Sequence, residues 1–232
     1  NMGKTVSFER PDGAKVDGYL AQAAAANAPG LVVIQEWWGL NDQIRGVADR
    51  FAAAGYTALV PDLYRGKATI EAAEAEHLMS NLDFGDAAGQ DVRGAVQHLK
   101  KRLGCPKVGV TGYCMGGALT LLTAVNAPEA DACVVWYGVP PLEYIDPSRI
   151  KAPLMGHFAI DDVPFPIASV DALEAKLRDA NVDFEFHRYQ AMHGFANETQ
   201  VGANRLPITE YKPDAAALAW TRTVGFFDRH LR

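Results

Sequence analysis

The stretch Val108-Gly-Val-Thr-Gly-Tyr-Cys-Met-Gly-Gly117, continuing as Ala118-Leu-Thr-Leu-Leu122, decides how the rest of the chain is read. A β-branched apolar run ends at Thr111. Gly112 and Gly116 then flank Cys114, and an apolar helix-forming run starts at once. The pattern predicts a strand, a sharp turn and a helix, with a nucleophile at the apex. Glycines suit such a turn because its backbone is strained and neighbouring chain passes too close for a Cβ. The helix behind Cys114 would aim its amides and positive dipole end at the sulfur. A phosphate-binding loop is the competing reading of a Gly-rich strand-to-helix turn. It lacks the Gly-Lys-Ser/Thr or GxGxxG signature. Cys105, in a loop before Pro106, and Cys133, in the apolar run Ala132–Val135, read as inert buried thiols.

Working outward, strand and helix patterns alternate. Thr5–Phe8 and Lys15–Leu20 alternate apolar and polar around Pro11-Asp-Gly13, which predicts a β-hairpin. Leu31–Ile34, Tyr56–Val60, Val108–Thr111, Ala132–Tyr137, Pro153–Phe158 and Phe184–Tyr189 read as central strands. Helices are expected after Asn41 or Asp42 (Ile44, Val47, Ala48, Phe51 inward), over Asp91–Arg102, after Cys114, and around Val170, Leu173 and Leu177. A C-terminal helix is expected with Ala217, Trp220, Val224, Phe227 and Leu231 on its buried face. The polar, Ala-rich segment from Leu63 to Phe84 reads as a cover over the site. Such alternation implies one α/β domain over residues 1–232, a mostly parallel twisted sheet with helices on both faces and an antiparallel hairpin at its N-terminus. Asn1 ahead of Met2 is set aside from this reading.

Composition narrows the function. The 232 residues are 49% hydrophobic and 22% charged, ordinary for a globular protein. A net charge of −6 and no basic run argue against nucleic-acid binding. Three cysteines at unrelated spacings suggest neither a disulfide framework nor a metal site. No apolar run approaches the roughly 18 residues of a membrane span. A cytoplasmic enzyme, monomeric or a small homo-oligomer, is expected, since a reducing compartment suits a reactive thiol.

In parallel sheets, ligands sit beyond the carboxyl ends of the strands. Glu36, Cys114, Asp162 (beside Asp161) and His193 all fall at such positions. Cys114, Asp162 and His193 run in the order nucleophile, acid, histidine, and an acid-oriented Cys–His pair is an activated nucleophile.

On these residues the chain resembles the dienelactone hydrolase (carboxymethylenebutenolidase) family of the α/β-hydrolase fold. The matching segments are Gln35-Glu36, Pro61-Asp-Leu-Tyr64, Gly112-Tyr-Cys-Met-Gly-Gly-Ala118, Trp136-Tyr-Gly138, Asp162 with Pro166, and His193-Gly-Phe-Ala196. The resemblance implies opening of a small lactone without metal or cofactor, of the dienelactone-to-maleylacetate type, or broader ester or thioester hydrolysis with the same triad. A redox or binding role for Cys114 on a hydrolase fold is the non-enzymatic alternative. The resemblance makes Cys114 the nucleophile, His193 the base and acid, and Asp162 its orienter. Met115 and Trp37 amides would form the oxyanion hole, and Glu36 would hold the resting thiol. It also implies substrate contacts from Tyr64, Trp38, Tyr137, Phe195 and Asn197. Two family arginines that bind a substrate carboxylate are replaced here by Gly66 and Asn197. Arg65, then Lys67, then Arg205 are the expected substitutes.

Overall fold

Runs with no polar face become central strands, and the alternating segments go to an edge. The computed structural model describes residues 3–232; Asn1 and Met2 lie outside them. The strands are β1 (Lys4–Glu9), β2 (Lys15–Ala21), β3 (Gly30–Ile34), β4 (Thr57–Pro61), β5 (Val108–Tyr113), β6 (Ala132–Trp136), β7 (Leu154–Ala159) and β8 (Phe184–Tyr189). They form one eight-stranded sheet in the order β1-β2-β4-β3-β5-β6-β7-β8. β1 and β2 pair antiparallel, as do β2 and β4; β4, β3 and β5 to β8 are parallel to their neighbours. This is the expected α/β-hydrolase arrangement with its N-terminal hairpin.

The helices are α1 (Asp42–Ala53), α2 (Ala72–Ser80), α3 (Phe84–Asp86), α4 (Arg93–Lys101), α5 (Met115–Asn126), α6 (Ile167–Asp179) and α7 (Pro213–Leu231). Alternate residues of β3 serve opposite layers: Val32 and Ile34 pack with α4, α5 and α6 residues such as Leu99, Leu119 and Leu173. Leu31 and Val33 pack with Phe51 of α1 and Phe226 and Phe227 of α7. Each such buried side chain contributes about 1.5–3 kcal/mol relative to exposure. α1 starts at Asn41, whose Oδ1 accepts from the Ile44 N–H at 3.1 Å.

Two expectations are corrected. The helix expected from Asp91 begins earlier and differently: a π-helical segment, Ala87–Val92, joins α3 to α4. It carries Asp91 inward, 1% exposed, onto the guanidinium groups of Arg10 and Arg65. In α7 the buried stripe is Ala215, Ala219, Thr223, Phe226, Phe227 and Leu231 rather than the face of Ala217 and Val224. A polar contact explains the rotation: Thr223 Oγ1 lies 2.8 Å from Nε2 of buried His157, a partner no hydrophobic pattern can reveal.

β3 pairs with both β4 and β5, so the chain passes over it between β4 and β5. This reversal in strand order opens a crevice at the carboxyl end of β5. The register Ile34↔Gly112 sets the segment after β3 beside the turn into α5.

Candidate active site

Cys114 occupies the turn between β5 and α5 with φ 61° and ψ −121°, a left-handed conformation rare for a side-chain-bearing residue. Its surroundings hold it there. A Cβ on Gly116 would lie 2.5 Å from the Gln35 carbonyl oxygen, and one on Gly138 would collide with the Cys114 carbonyl. Strain of this kind persists where surrounding structure over-determines it, and it clusters at functional sites.

His193 follows β8, with Nε2 3.1 Å from Cys114 Sγ and Nδ1 2.7 Å from Asp162 Oδ2. Asp162, beyond β7, is fixed in turn by the Phe165 N–H donating to its Oδ1 at 2.8 Å. The neighbouring Asp161 faces away and accepts from Gln190 Nε2 at 2.8 Å. Three residues 31 to 79 positions apart thus form one continuous relay. Burial works to depress the His193 imidazolium, but the Cys114 sulfur and then Asp162 outweigh it and hold the group up at about 10.

Glu36 lies 6% exposed at the end of β3. Asn197 Nδ2 donates to its Oε1 at 2.7 Å, and the Tyr137 hydroxyl donates to its Oε2 at 3.2 Å. Asn197 is oriented by Thr199, whose N–H and hydroxyl both donate to Asn197 Oδ1. The hydrogen-bond partner of Cys114 is therefore His193, and both Glu36 oxygens are engaged elsewhere. Desolvation raises the Glu36 carboxyl above its ordinary range, against smaller opposing effects from Asn197, His193 and Tyr137. Met115 is the first residue of α5, where an amide has no intrahelical acceptor. Among the described residues, the Trp37 N–H donates to no backbone carbonyl.

A cavity of about 200 Å³ opens above the sulfur. Cys114, His193, Glu36, Trp37 and Trp38 line it, as expected. Met79, Pro164, Phe165, Gly194, Gln200, Leu206, Ile208 and Thr209 complete it. Of the expected cover from Leu63 to Phe84, only Met79 of α2 reaches the cavity. The loop from His193 to Thr209 supplies the other side, closed by backbone bonds from Glu210 N–H to His193 and from Lys212 N–H to Phe195. Sequence reading missed these residues because they carry no reactive group; the Pro164-Phe-Pro166 turn was the only local signal.

The remaining substrate candidates are elsewhere. The Arg65 guanidinium grips Asp91 with Nη1–Oδ2 at 2.8 Å and Nη2–Oδ1 at 3.0 Å. A buried carboxylate close in space has captured it. Lys67 is exposed and away from the cavity. Arg205 is held by Glu210 at 2.8 Å and by the Thr209 carbonyl. Tyr64 sits under the site, its hydroxyl donating to Met115 Sδ. Tyr137, Phe195 and Asn197 are at most 1% exposed and form the wall behind the lining. Among the described residues, no Lys or Arg lines the cavity.

The model of the dienelactone hydrolase family matches residues 16–231. The chain is 36% identical to protein usf of Aquifex pyrophilus, covering 99% of this chain and 100% of that one. It is 32% identical to a protein provisionally named carboxymethylenebutenolidase in Aquifex aeolicus, over 100% of both. The fold is shared with a dienelactone hydrolase-like promiscuous phosphotriesterase from metagenomic libraries, at TM-score 0.82, 24% identity and full coverage of both chains.

Proposed function

The chain belongs to the dienelactone hydrolase family and is a carboxylic ester hydrolase, and from that premise we propose that it cleaves a small lactone or ester through Cys114, His193 and Asp162, by way of an acyl-enzyme thioester. The relay from Sγ to Nε2 and from Nδ1 to Oδ2, at the floor of the cavity, supports this most strongly.

The thiolate attacks the carbonyl carbon. The carbonyl oxygen becomes an oxyanion, received by the Met115 and Trp37 N–H groups. As the acyl C–O bond breaks, His193 Nε2 gives its proton to the leaving oxygen; in a lactone that oxygen stays tethered to the acyl group. Acylation consumes the thiolate, the largest influence raising the imidazolium, and leaves burial free to lower it. The imidazole is then neutral and takes a proton from water, whose oxygen attacks the thioester. The C–S bond breaks, the acid product leaves and ionises, and the thiolate–imidazolium pair is restored. Asp162 holds the ring and its tautomer throughout. Burial raises the Glu36 carboxyl and so works against a second negative charge in the cavity that holds the sulfur.

The lining favours the broader ester reading over dienelactone itself. A desolvated substrate carboxylate needs a cationic partner. Arg65 and Arg205 are committed to carboxylates and Lys67 is remote. The substrate that fits is a neutral ester or lactone. The test is hydrolysis of p-nitrophenyl acetate and of a lactone pair with and without a carboxylate. We expect turnover of the acetate, preference for the neutral lactone, and complete loss in Cys114→Ala, with Cys105→Ala retaining activity. Activity surviving in Cys114→Ala would remove the nucleophile assignment. Preference for the charged lactone would restore the dienelactone reading.

A further inference from the structure

A second apolar recess, of about 390 Å³, lies beside the catalytic cavity. Leu82 and Phe84 line it on one side, Met115 and Ala118 of α5 on another, and Val139 and Pro140 after β6 on the third. Met79 and Phe165 line both spaces, so these two side chains form the wall they share. Phe165 is fixed: its N–H is bound to Asp162 and its ring packs 5.5 Å from that of His193. Met79 is an unbranched thioether with three rotatable bonds, the most easily displaced kind of apolar wall. It sits only half-buried near the end of α2. No charged side chain lines the recess among the described residues.

We infer that this recess is the binding site for an apolar chain on the ester substrate, reached from Cys114 between Met79 and Phe165. The inference rests on the ester-hydrolase reading and adds a substrate class to it: neutral esters with a medium-length alkyl or aryl chain. The catalytic cavity, about 200 Å³, is roughly half the size of the recess, about 390 Å³. A chain that continues past the wall leaves water for a surface with no polar demand. Each methylene buried there is expected to raise kcat/KM by up to about fourfold, the equivalent of 0.8 kcal/mol.

The experiment is kcat/KM for p-nitrophenyl esters from acetate to octanoate, in the wild type, Leu82→Trp and Ser80→Trp. Leu82→Trp fills the recess from one side. Ser80 is exposed at its rim, so a Trp there blocks the opening without entering the core. We expect a rise with chain length in the wild type and a flattened or inverted series in the variants, with acetate unchanged. Wild-type rates that stay level or fall beyond acetate would overturn the inference, as would variants that keep the rise. Failure to hydrolyse acetate at all would instead strike the hydrolase reading. For that case, a readout without turnover applies: protection of Cys114 from iodoacetamide by methyl ketones. The ketones should protect more tightly as they lengthen in the wild type, and not in Leu82→Trp. Protection independent of length in the wild type counts against the recess whatever the reaction.

Discussion

Asp161 and Asp162 are adjacent and chemically identical, yet only one faces His193. Asp162 is 8% exposed and bound to Nδ1, whereas Asp161 is exposed and bound to Gln190. Asp162→Asn should therefore lower kcat by a factor approaching about 10⁴, the cost of a wrong tautomer in a Ser-His-Asp triad. Asp161→Asn should change it less than about threefold. The reverse ranking in steady-state kinetics would move the acid by one residue. The same pair predicts the alkaline limb. Leaving-group protonation needs the imidazolium, so kcat/KM should fall as pH rises through about 10. Removing the Asp162 charge takes away one influence that raises the group, so in Asp162→Asn the residual activity should fall at lower pH. A pH–rate profile with an unmoved alkaline limb would contradict the pairing.

Among the elements, the π-helical turn before α4 changes what Arg65 does. Asp91, buried within that turn, takes two hydrogen bonds from Arg65 and one from Arg10, fastening the loop after β4 and the β1–β2 hairpin to the same helix. Arg65→Ala should leave KM for charged and neutral substrates alike. It should lower stability by about 1.5–3 kcal/mol, the worth of a hydrogen bond to a charged group, because Asp91 keeps only Arg10. Urea unfolding midpoints measure the one and kinetics the other; a rise in KM confined to the carboxylate-bearing substrate would return Arg65 to the site. Strand runs such as Leu31–Ile34 and the elbow around Cys114 were legible in the sequence, because buried parallel strands are continuously apolar and a strained turn demands glycines. Arg65, Asn197 and Thr223 were not. Each takes its role from a single polar partner far away in the chain: Asp91, Glu36 and His157. Periodicity records which face is buried, not which buried polar groups meet.

Across the whole molecule, the raised Glu36 carboxyl links the site to folding. Its carboxyl titrates above its ordinary range when folded and near 4.5 when unfolded. Between those values the folded state holds a proton that the unfolded state has released, so stability falls as pH rises, by up to about 1.4 kcal/mol per pH unit. Glu36→Gln preserves the shape and cannot ionise. The stability difference between Glu36→Gln and wild type should grow in the variant's favour from about pH 4.5 upward; a difference independent of pH would mean that Glu36 is ionised in the fold. The relay itself has a consequence in time. Cys114 lies 79 positions before its proton partner, and Glu36 is 161 before Asn197. Synthesis runs from the N-terminus and domains fold as units. A ribosome that has delivered residues up to 180 has delivered the thiol and Asp162 but not His193, which stands between them. On the proposed mechanism, catalytic competence arrives as a single late event, when the segment from His193 onward emerges and seats itself. Until then, on that mechanism, the nascent chain turns over no ester.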